Sequence, residues 1–570
     1  MKKIALLICI TSNLYGSNPQ RFFNTIEEIP ASIHVEELLQ SMTLREKIGQ
    51  LFMVAATSIF YAPDDPLFST QRDSPYNIDP EYIKRLIRDY HIGGLIFLFK
   101  SEPDLQIAAL HMYQQEAKFP LLIGQDLEWG LSQSLDHDPS KVTRYPHLMT
   151  LGALSKDNEH LIYDLGYEIG KQCAQIGVHI NFAPVADVNN NPANPVIHDR
   201  SFGDDPVRVA RLATLYMCGL QDAGIIACAK HFPGHGDVSV DSHEELPRLD
   251  HTRKRLDAIE LLPFKALIDA GIGAVMNAHL HIPAFDAREN RPSSMSYRVV
   301  TRLLKEELHF QGLAITDGLG MKAITNHYKP GELELEAFLA GNDILLCPLD
   351  VPRAVQLIEQ AIQDGRVSEK ELDRRVLKIL KAKEWAFAQQ RQHITQDPLA
   401  FLIRPEACPL QEELYRKTIT IARNNLDKPF SPALIEQSSI IQIGGAKNEY
   451  VPSHIKTSAA LTNDEVNACL AHAFDHKTVI MLLNGMNKFA HKNFGISPNL
   501  QPLLSQLKER GKQIIIVVFG SPYSISYFDD ADAIILAYAY KETPALWKGV
   551  RDVLLGTMKA EGILPVIALY

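Results

Sequence analysis

Between residues 45 and 350 the chain repeats one unit: a short run rich in Val, Ile and Leu, a loop, then an amphipathic stretch of helical length. The apolar runs cover 48–55, 94–99, 121–124, 178–183, 225–229, 272–276, 313–316 and 343–346. Runs this short and this uniformly apolar read as strands buried on both faces, which is the habit of parallel sheets. Parallel neighbours need a return crossover of helix length, so the pattern fits a (β/α)8 TIM-like barrel, with a doubly wound sheet as the competing arrangement. Functional residue types follow the runs directly: Asp126 and Glu128 the third, Asp187 and Arg200 the fourth, Lys230 and His231 the fifth, Asn277 and His279 the sixth, Asp317 the seventh. A barrel brings all of these loops to one rim, and that repeated coincidence favours it over the open sheet.

At roughly 100–200 residues per domain, a chain of 570 residues holds two or three domains. The alternation places a catalytic barrel over 35–385. It breaks over 386–412, a Gln-rich stretch interrupted by Pro398 and Pro405 that reads as a connector. Further apolar runs at 440–444, 479–483, 514–520 and 533–537, separated by helical stretches, make 413–570 a smaller α/β domain. Residues 58–80 form an insertion after the first strand, near the catalytic face, with no function attached to it. A net charge of −11 argues against a nucleic-acid surface. Lys2 and Lys3, an apolar run over 4–10 and small polar residues up to Ser17 resemble a signal peptide over 1–17. Export to the periplasm or beyond is therefore expected, with a cytoplasmic protein as the alternative. No other segment reaches the roughly 18 apolar residues of a membrane span. Cys173, Cys218, Cys228, Cys347, Cys408 and Cys469 lack CxxC spacing and read as buried thiols.

The chemistry concentrates in residues 230–247, KHFPGHGDVSVDSHEELP. Gly234 and Gly236 allow sharp turns, so the polar groups gather on an irregular loop. Asp241 and His243 stand at i and i+2, on one side of an extended backbone, and can form a carboxylate–imidazole pair that moves a proton near neutral pH. Asp317, in LAITDGLGM, is a carboxylate delivered by a strand end between glycines; such a group can attack an anomeric carbon, or simply cap the next helix. His231, His235, Asp237 and His243 include zinc-ligand types, but no recognised ligand spacing supports a metal, and none is expected.

The loop 230–247 resembles the signature of the β-N-acetylglucosaminidase branch of family three glycoside hydrolases, and the resemblance extends to MTLREKIGQLF at 42–52, NPVIHDRSFG at 194–203 and the segment around Asp317. Weaker similarity at 514–540 and 562–566 resembles that family's second α/β sandwich domain, so that about residues 35–570 are covered. The resemblance implies a barrel followed by a smaller sandwich domain, no cofactor, and retaining hydrolysis of terminal β-linked N-acetylglucosamine from peptidoglycan fragments. It implies Asp317 as nucleophile, His243 as acid/base with Asp241 as its partner, and Asp126, Arg200, Lys230 and His231 as sugar-binding residues. Glu542, in the second domain, is the candidate for the carboxylate acid/base that the family's glucosidase branch uses instead. One departure stands out: where the family reads DxEGG followed by an arginine, this chain reads DLEWGLSQSL, with Trp129 for a glycine and Ser134 for the arginine. Serine cannot reproduce the guanidinium fork, so Arg144 or another group compensates, or substrate preference has shifted.

Two rival functions stay open at this stage. An imidazole acid/base adds no second negative charge beside the nucleophile, so phosphate could replace water and make the enzyme a phosphorylase. The missing arginine also suits a non-catalytic binder of wall fragments. Oligomeric state, linkage and aglycone are not legible in these residues.

Overall fold

Eight short parallel strands close on themselves: β1 (Phe52–Ala56), β2 (Gly94–Phe97), β3 (Leu122–Gln125), β4 (Ile180–Asn181), β5 (Ile226–Phe232), β6 (Ala274–Asn277), β7 (Leu313–Thr316) and β8 (Leu345–Leu346). Each pairs with its neighbour in sequence, β8 returns to β1, and a parallel bridge between Ile315 and Ile344 closes the remaining gap. The computed structural model describes residues 32–57, 75–98, 100–135, 142–393, 395, 397–402, 407–427, 429–446, 448–539 and 542–566. The signal-peptide expectation over 1–17, and most of the insertion after β1, lie outside these residues.

Every residue of the eight strands is buried, which is why the strands read as continuous apolar runs and not as alternating ones. The first expected run began too early. Thr43 caps a helix, Leu44–Gly49, through a reciprocal pair with Glu46, and so β1 starts only at Phe52. The fifth run ended too early, because β5 continues through Lys230 and His231 to Phe232.

The chain divides into two compact units. One comprises Met1–Arg144, Ile162–Val188 and Ala210–Arg404 and contains the whole barrel; the other comprises Tyr145–Leu161, Asn189–Val209 and Pro405–Tyr570. Arg200 thus falls in the second unit, at the end of a 3-10 turn, His198–Arg200. The stretch expected as a connector carries much helix: Glu369–His393 runs into it, and Pro398–Leu402 and the start of Ala407–Thr418 follow. Gln and Ala are good helix formers, and Pro398 sits at a first helical position, where its missing N–H costs little.

The second unit is built on a six-stranded sheet ordered β11-β10-β12-β13-β14-β9. Its members are β9 (Thr420–Asn424), β10 (Ser438–Ile443), β11 (Ile455–Thr457), β12 (Thr478–Leu483), β13 (Gln513–Val518) and β14 (Ala533–Leu536). All pair in parallel except the edge strand β9. Alternate residues feed opposite faces: Ile441, Met481 and Ile516 pack with Leu503 and Leu507 on one side, Ile440, Ile480 and Ile515 with Leu546 and Val550 on the other. The result is the α/β sandwich domain expected after the barrel.

Entering β8, Asp343 is fully buried and accepts from Lys305 Nζ at 2.8 Å, from the Ala314 N–H at 2.8 Å and from Lys378 Nζ at 3.4 Å. Burial would raise its carboxyl, but Lys305, Lys378 and Arg375 outweigh burial and hold it well below the usual carboxylate range. Removing one member of such a network leaves buried charge uncompensated. Asp343→Ala is therefore expected to destabilise the barrel by about 3–5 kcal/mol, read as a lower denaturant midpoint for its unfolding, and a variant within 1 kcal/mol of wild type would contradict this account.

Candidate active site

The C-terminal ends of the barrel strands carry the expected residues. Lys230 is nearly inaccessible, with its side chain 2% exposed, and its ammonium sits 2.6 Å from Asp126 Oδ1 and 2.7 Å from Glu128 Oε1. Asp126 is the more open of the two carboxylates, and Glu128 is fully buried. A desolvated ammonium is tolerable only with such close counter-charges, which Glu128 and Asp126 supply. Glu128 was visible in the sequence after β3 but received no role there.

Asp187, fully buried beyond β4, organises the first half of the loop that leaves β5. It accepts from the His231 N–H at 3.1 Å and the His235 N–H at 2.7 Å, and from His231 Nδ1 at 2.7 Å. Burial alone would raise the Asp187 carboxyl; His231 and the backbone donors lower it. With Nδ1–H as the donor to Asp187, the tautomer and orientation of the His231 ring are set by that carboxylate. Burial, together with neighbouring His231, pulls His235 down to about 4, and its ring lies against Ser242 Oγ at 3.2 Å.

Asp317 follows β7 directly and is half-buried. Its N–H donates to Asn277 O at 2.9 Å, and its Oδ1 accepts from the Gly318 N–H at 2.7 Å. Burial would raise this carboxyl, but His231, His279, the Gly318 N–H and His243 together hold it at about 2. It is therefore ionised at neutral pH. His279 meets Gly318 O through Nε2 at 3.1 Å and Ser294 Oγ through Nδ1 at 2.7 Å. A carbonyl can only accept, so Nε2 carries a proton; burial lowers His279.

The pairing expected between Asp241 and His243 is present, but in a turn and not in the extended backbone expected: the Glu244 and Glu245 N–H groups both donate to Asp241 O, and Asp241 Oδ1 lies 2.8 Å from both the backbone N and Nδ1 of His243. The pair stands in solvent, His243 being 63% and Asp241 37% exposed at the side chain. Farther along, Lys322 Nζ pairs with Glu244 at 2.6 Å, and the Ala323 N–H donates to Ser242 O at 3.3 Å. These bonds tie the arm to the helix that follows Asp317.

Ser134, at the position of the missing arginine, is buried and donates its hydroxyl to Asp126 O at 3.0 Å. It braces the backbone of a sugar-binding candidate and offers no guanidinium substitute. Glu542, the rival acid/base, is half-buried within the second unit, where Asn484 Nδ2 donates to it at 2.8 Å. Of the loop histidines considered for a metal, the His231 ring pairs with Asp187, the His243 ring with Asp241, and the His235 ring meets Ser242. Asp237 instead approaches His251 and Glu260, and Arg255 lies between, 3.3 Å from Asp237 and 2.6 Å from Glu260. That guanidinium already supplies the positive charge the two carboxylates call for.

The fold, the rim and the sequence agree on a class. Residues 43–382 match the Glycosyl hydrolase family 3 N terminal domain, which defines a glycoside hydrolase acting on carbohydrate. The chain belongs to glycosyl hydrolase family 3. It is 28% identical to Beta-hexosaminidase A of Pseudoalteromonas piscicida across 94% of its own length and 98% of that protein. It is 33% identical to Beta-hexosaminidase LpqI of Mycobacterium tuberculosis over 52% of this chain and 77% of that one. The solved structure of a glycoside hydrolase family 3 beta-N-acetylglucosaminidase from Paenibacillus sp. str. FPU-7 is similar at a TM-score of 0.72 and 29% identity, covering 92% of this chain and 99% of that chain. Beta-glucoside phosphorylase BglX, 19% identical with a TM-score of 0.75, shares the fold. Among the described residues, no helix is long and apolar enough to cross a membrane.

Two outcomes are expected. Asp187→Ala removes the acceptor of three donors and lets His231 drift, so kcat/KM should fall by about 10²-fold, as expected for a displacement near 1 Å; unchanged kinetics would deny Asp187 its organising role. The Asp317 carboxyl is lower in the folded chain than its free value near 4, so its contribution to stability is full above pH 4 and is lost as pH falls towards 2. The melting temperature of wild type relative to Asp317→Asn should accordingly be flat above pH 5 and drop between pH 4 and 2.

Proposed function

We propose that the protein is a retaining exo-β-N-acetylglucosaminidase that releases terminal N-acetylglucosamine from peptidoglycan fragments or related glycans through a covalent glycosyl–Asp317 intermediate. The observation that carries this reading is an ionised carboxylate, Asp317, held at a barrel strand end by the Gly318 N–H. A paired imidazole, His243, stands on the neighbouring arm. The full-length likeness to a β-hexosaminidase and to a β-N-acetylglucosaminidase structure supports the sugar assignment. The resemblance of the loop 230–247 to the β-N-acetylglucosaminidase signature supports the wall-fragment substrate, and the two lysines followed by an apolar run over 4–10 support export.

In the first step an Asp317 oxygen bonds to the anomeric carbon while the glycosidic C–O bond breaks, and the departing oxygen takes a proton from protonated His243. In the second, water attacks the same carbon, His243 takes a proton from the water, and the Asp317 oxygen leaves. Asp241 accepts from His243 Nδ1 throughout, fixing the tautomer and stabilising the imidazolium. Lys230, His231, Asp126 and Arg200 bind sugar hydroxyls. The catalytic domain spans 35–385, and 413–570 is the sandwich domain.

Phosphorolysis is the second reading, favoured by the acid/base being an imidazole with no carboxylate charge of its own. The decisive assay runs wild type, Asp317→Ala and His243→Ala on aryl N-acetylglucosaminide and aryl glucoside, with and without phosphate. Hydrolysis predicts free N-acetylglucosamine in both buffers, loss of turnover by about 10³-fold or more in Asp317→Ala, and a loss between 10² and 10⁴ in His243→Ala. Glycosyl phosphate as the main product would replace the hydrolase by a phosphorylase. Binding without turnover in wild type would leave only a binding protein.

A further inference from the structure

The turn that follows Asp317 contains two glycines, and neither Gly318 nor Gly320 sits in the left-handed region. Their purpose is space, and one side chain occupies it. A Cβ on Gly318 would lie 3.1 Å from Tyr76 Oη; a Cβ on Gly320 would lie 2.4 Å from Tyr76 Cε1 and 2.7 Å from its Oη. Tyr76 comes from the end of the insertion after β1, and it reaches past the neighbouring β8 to the turn after β7. Its phenol accepts from the Gly320 N–H and hydrogen-bonds with the thiol of Cys347. Cys347 is the buried residue directly after β8. The rest of the turn is held from other sides: His279 binds Gly318 O at 3.1 Å, and the Leu319 N–H donates to Leu346 O at 3.0 Å.

We propose that Tyr76 is a positioning residue for the nucleophile: its ring, seated against Gly318 and Gly320, fixes the turn from which the Asp317 carboxylate is aimed. The proposal rests on Asp317 being the nucleophile. It gives the otherwise unassigned insertion a task, and it explains why the residues after Asp317 are small. A carboxylate that must reach one ring carbon depends on placement more than on affinity, because reacting atoms have to meet within about 3–3.5 Å and along one line. Tyr76 acts on that placement without touching the sugar.

The test is steady-state kinetics on aryl N-acetylglucosaminide with Tyr76→Phe, Tyr76→Ala, Gly320→Ala and the double variant Tyr76→Ala/Gly320→Ala, alongside Asp317→Ala and thermal melts. Tyr76→Phe keeps the ring but loses the acceptor for Gly320; kcat should fall about tenfold with KM within about twofold, and the melting temperature should stay near wild type, since one hydrogen bond is a small part of total stability. Tyr76→Ala should cost about 10²-fold in kcat. Gly320→Ala should be damaging alone and nearly harmless once Tyr76 is alanine, because the atom it clashes with is gone. Wild-type kcat in Tyr76→Phe, additive losses in the double variant, or a change confined to KM would each overturn the positioning role. Turnover surviving in Asp317→Ala would instead overturn the nucleophile assignment on which it stands.

Discussion

Parallel strands can be joined only through crossovers, and that constraint organises the barrel unit. Once eight such strands close into a ring, every strand leaves through the same rim, whatever its side chains are. Asp126, Lys230, His231, Asn277 and Asp317 arrive there from four strands separated by up to 191 positions of chain, counted from Asp126 to Asp317. Their chemistry then follows from burial. Lys230 is buried with two carboxylates beside it, and Asp317 is ionised because the neighbouring histidines and the Gly318 N–H outweigh its desolvation.

The same rim shows a division of labour between rigid and open parts. His231 and His235 are locked on Asp187, whereas Asp241 and His243 hold one another in solvent at the tip of the same loop. A group that grips a sugar gains from being fixed in place. A group that must exchange a proton with a leaving oxygen and then with water gains from standing on an arm that water reaches. Lys322 and Glu244 join that arm to the helix following Asp317, the proposed nucleophile, so both parts of the candidate site share one mechanical frame.

Much of this was legible beforehand. The barrel strands lie where the apolar runs predicted them, because parallel strands buried on both faces leave a continuous signal. The misplaced edges have local causes, the Thr43–Glu46 capping pair before β1 and the polar residues that end β5. Two strands of the second sheet, β9 and β11, went unread: each is short, sits at an edge and is only partly buried, so its residues carry little apolar pattern. Glu128 and Asp187 stood in view as polar residues after strands. Their function as buried counter-charges depends on Lys230 and His231, which are 102 and 44 positions away in the chain. Tyr76 was not legible at all, because nothing local marks an insertion residue as the neighbour of a turn some 240 positions later.

The sequence by itself determined the repeat of strand and helix, the types of functional residue at strand ends, and the nearness of Asp241 to His243, two residues apart in the chain, although a turn and not extended backbone brings them together. Only the tertiary structure decided that Lys230 is buried between Asp126 and Glu128, that Asp187 holds the catalytic loop, that Ser134 braces backbone, and that Tyr76 fills the space beside Asp317. The physical reason is range. Periodicity and i, i+2 geometry act over a few residues and are written in neighbouring letters. Desolvation, counter-charge and steric fit depend on what closes in from distant strands, and those distances exist only once the barrel has closed.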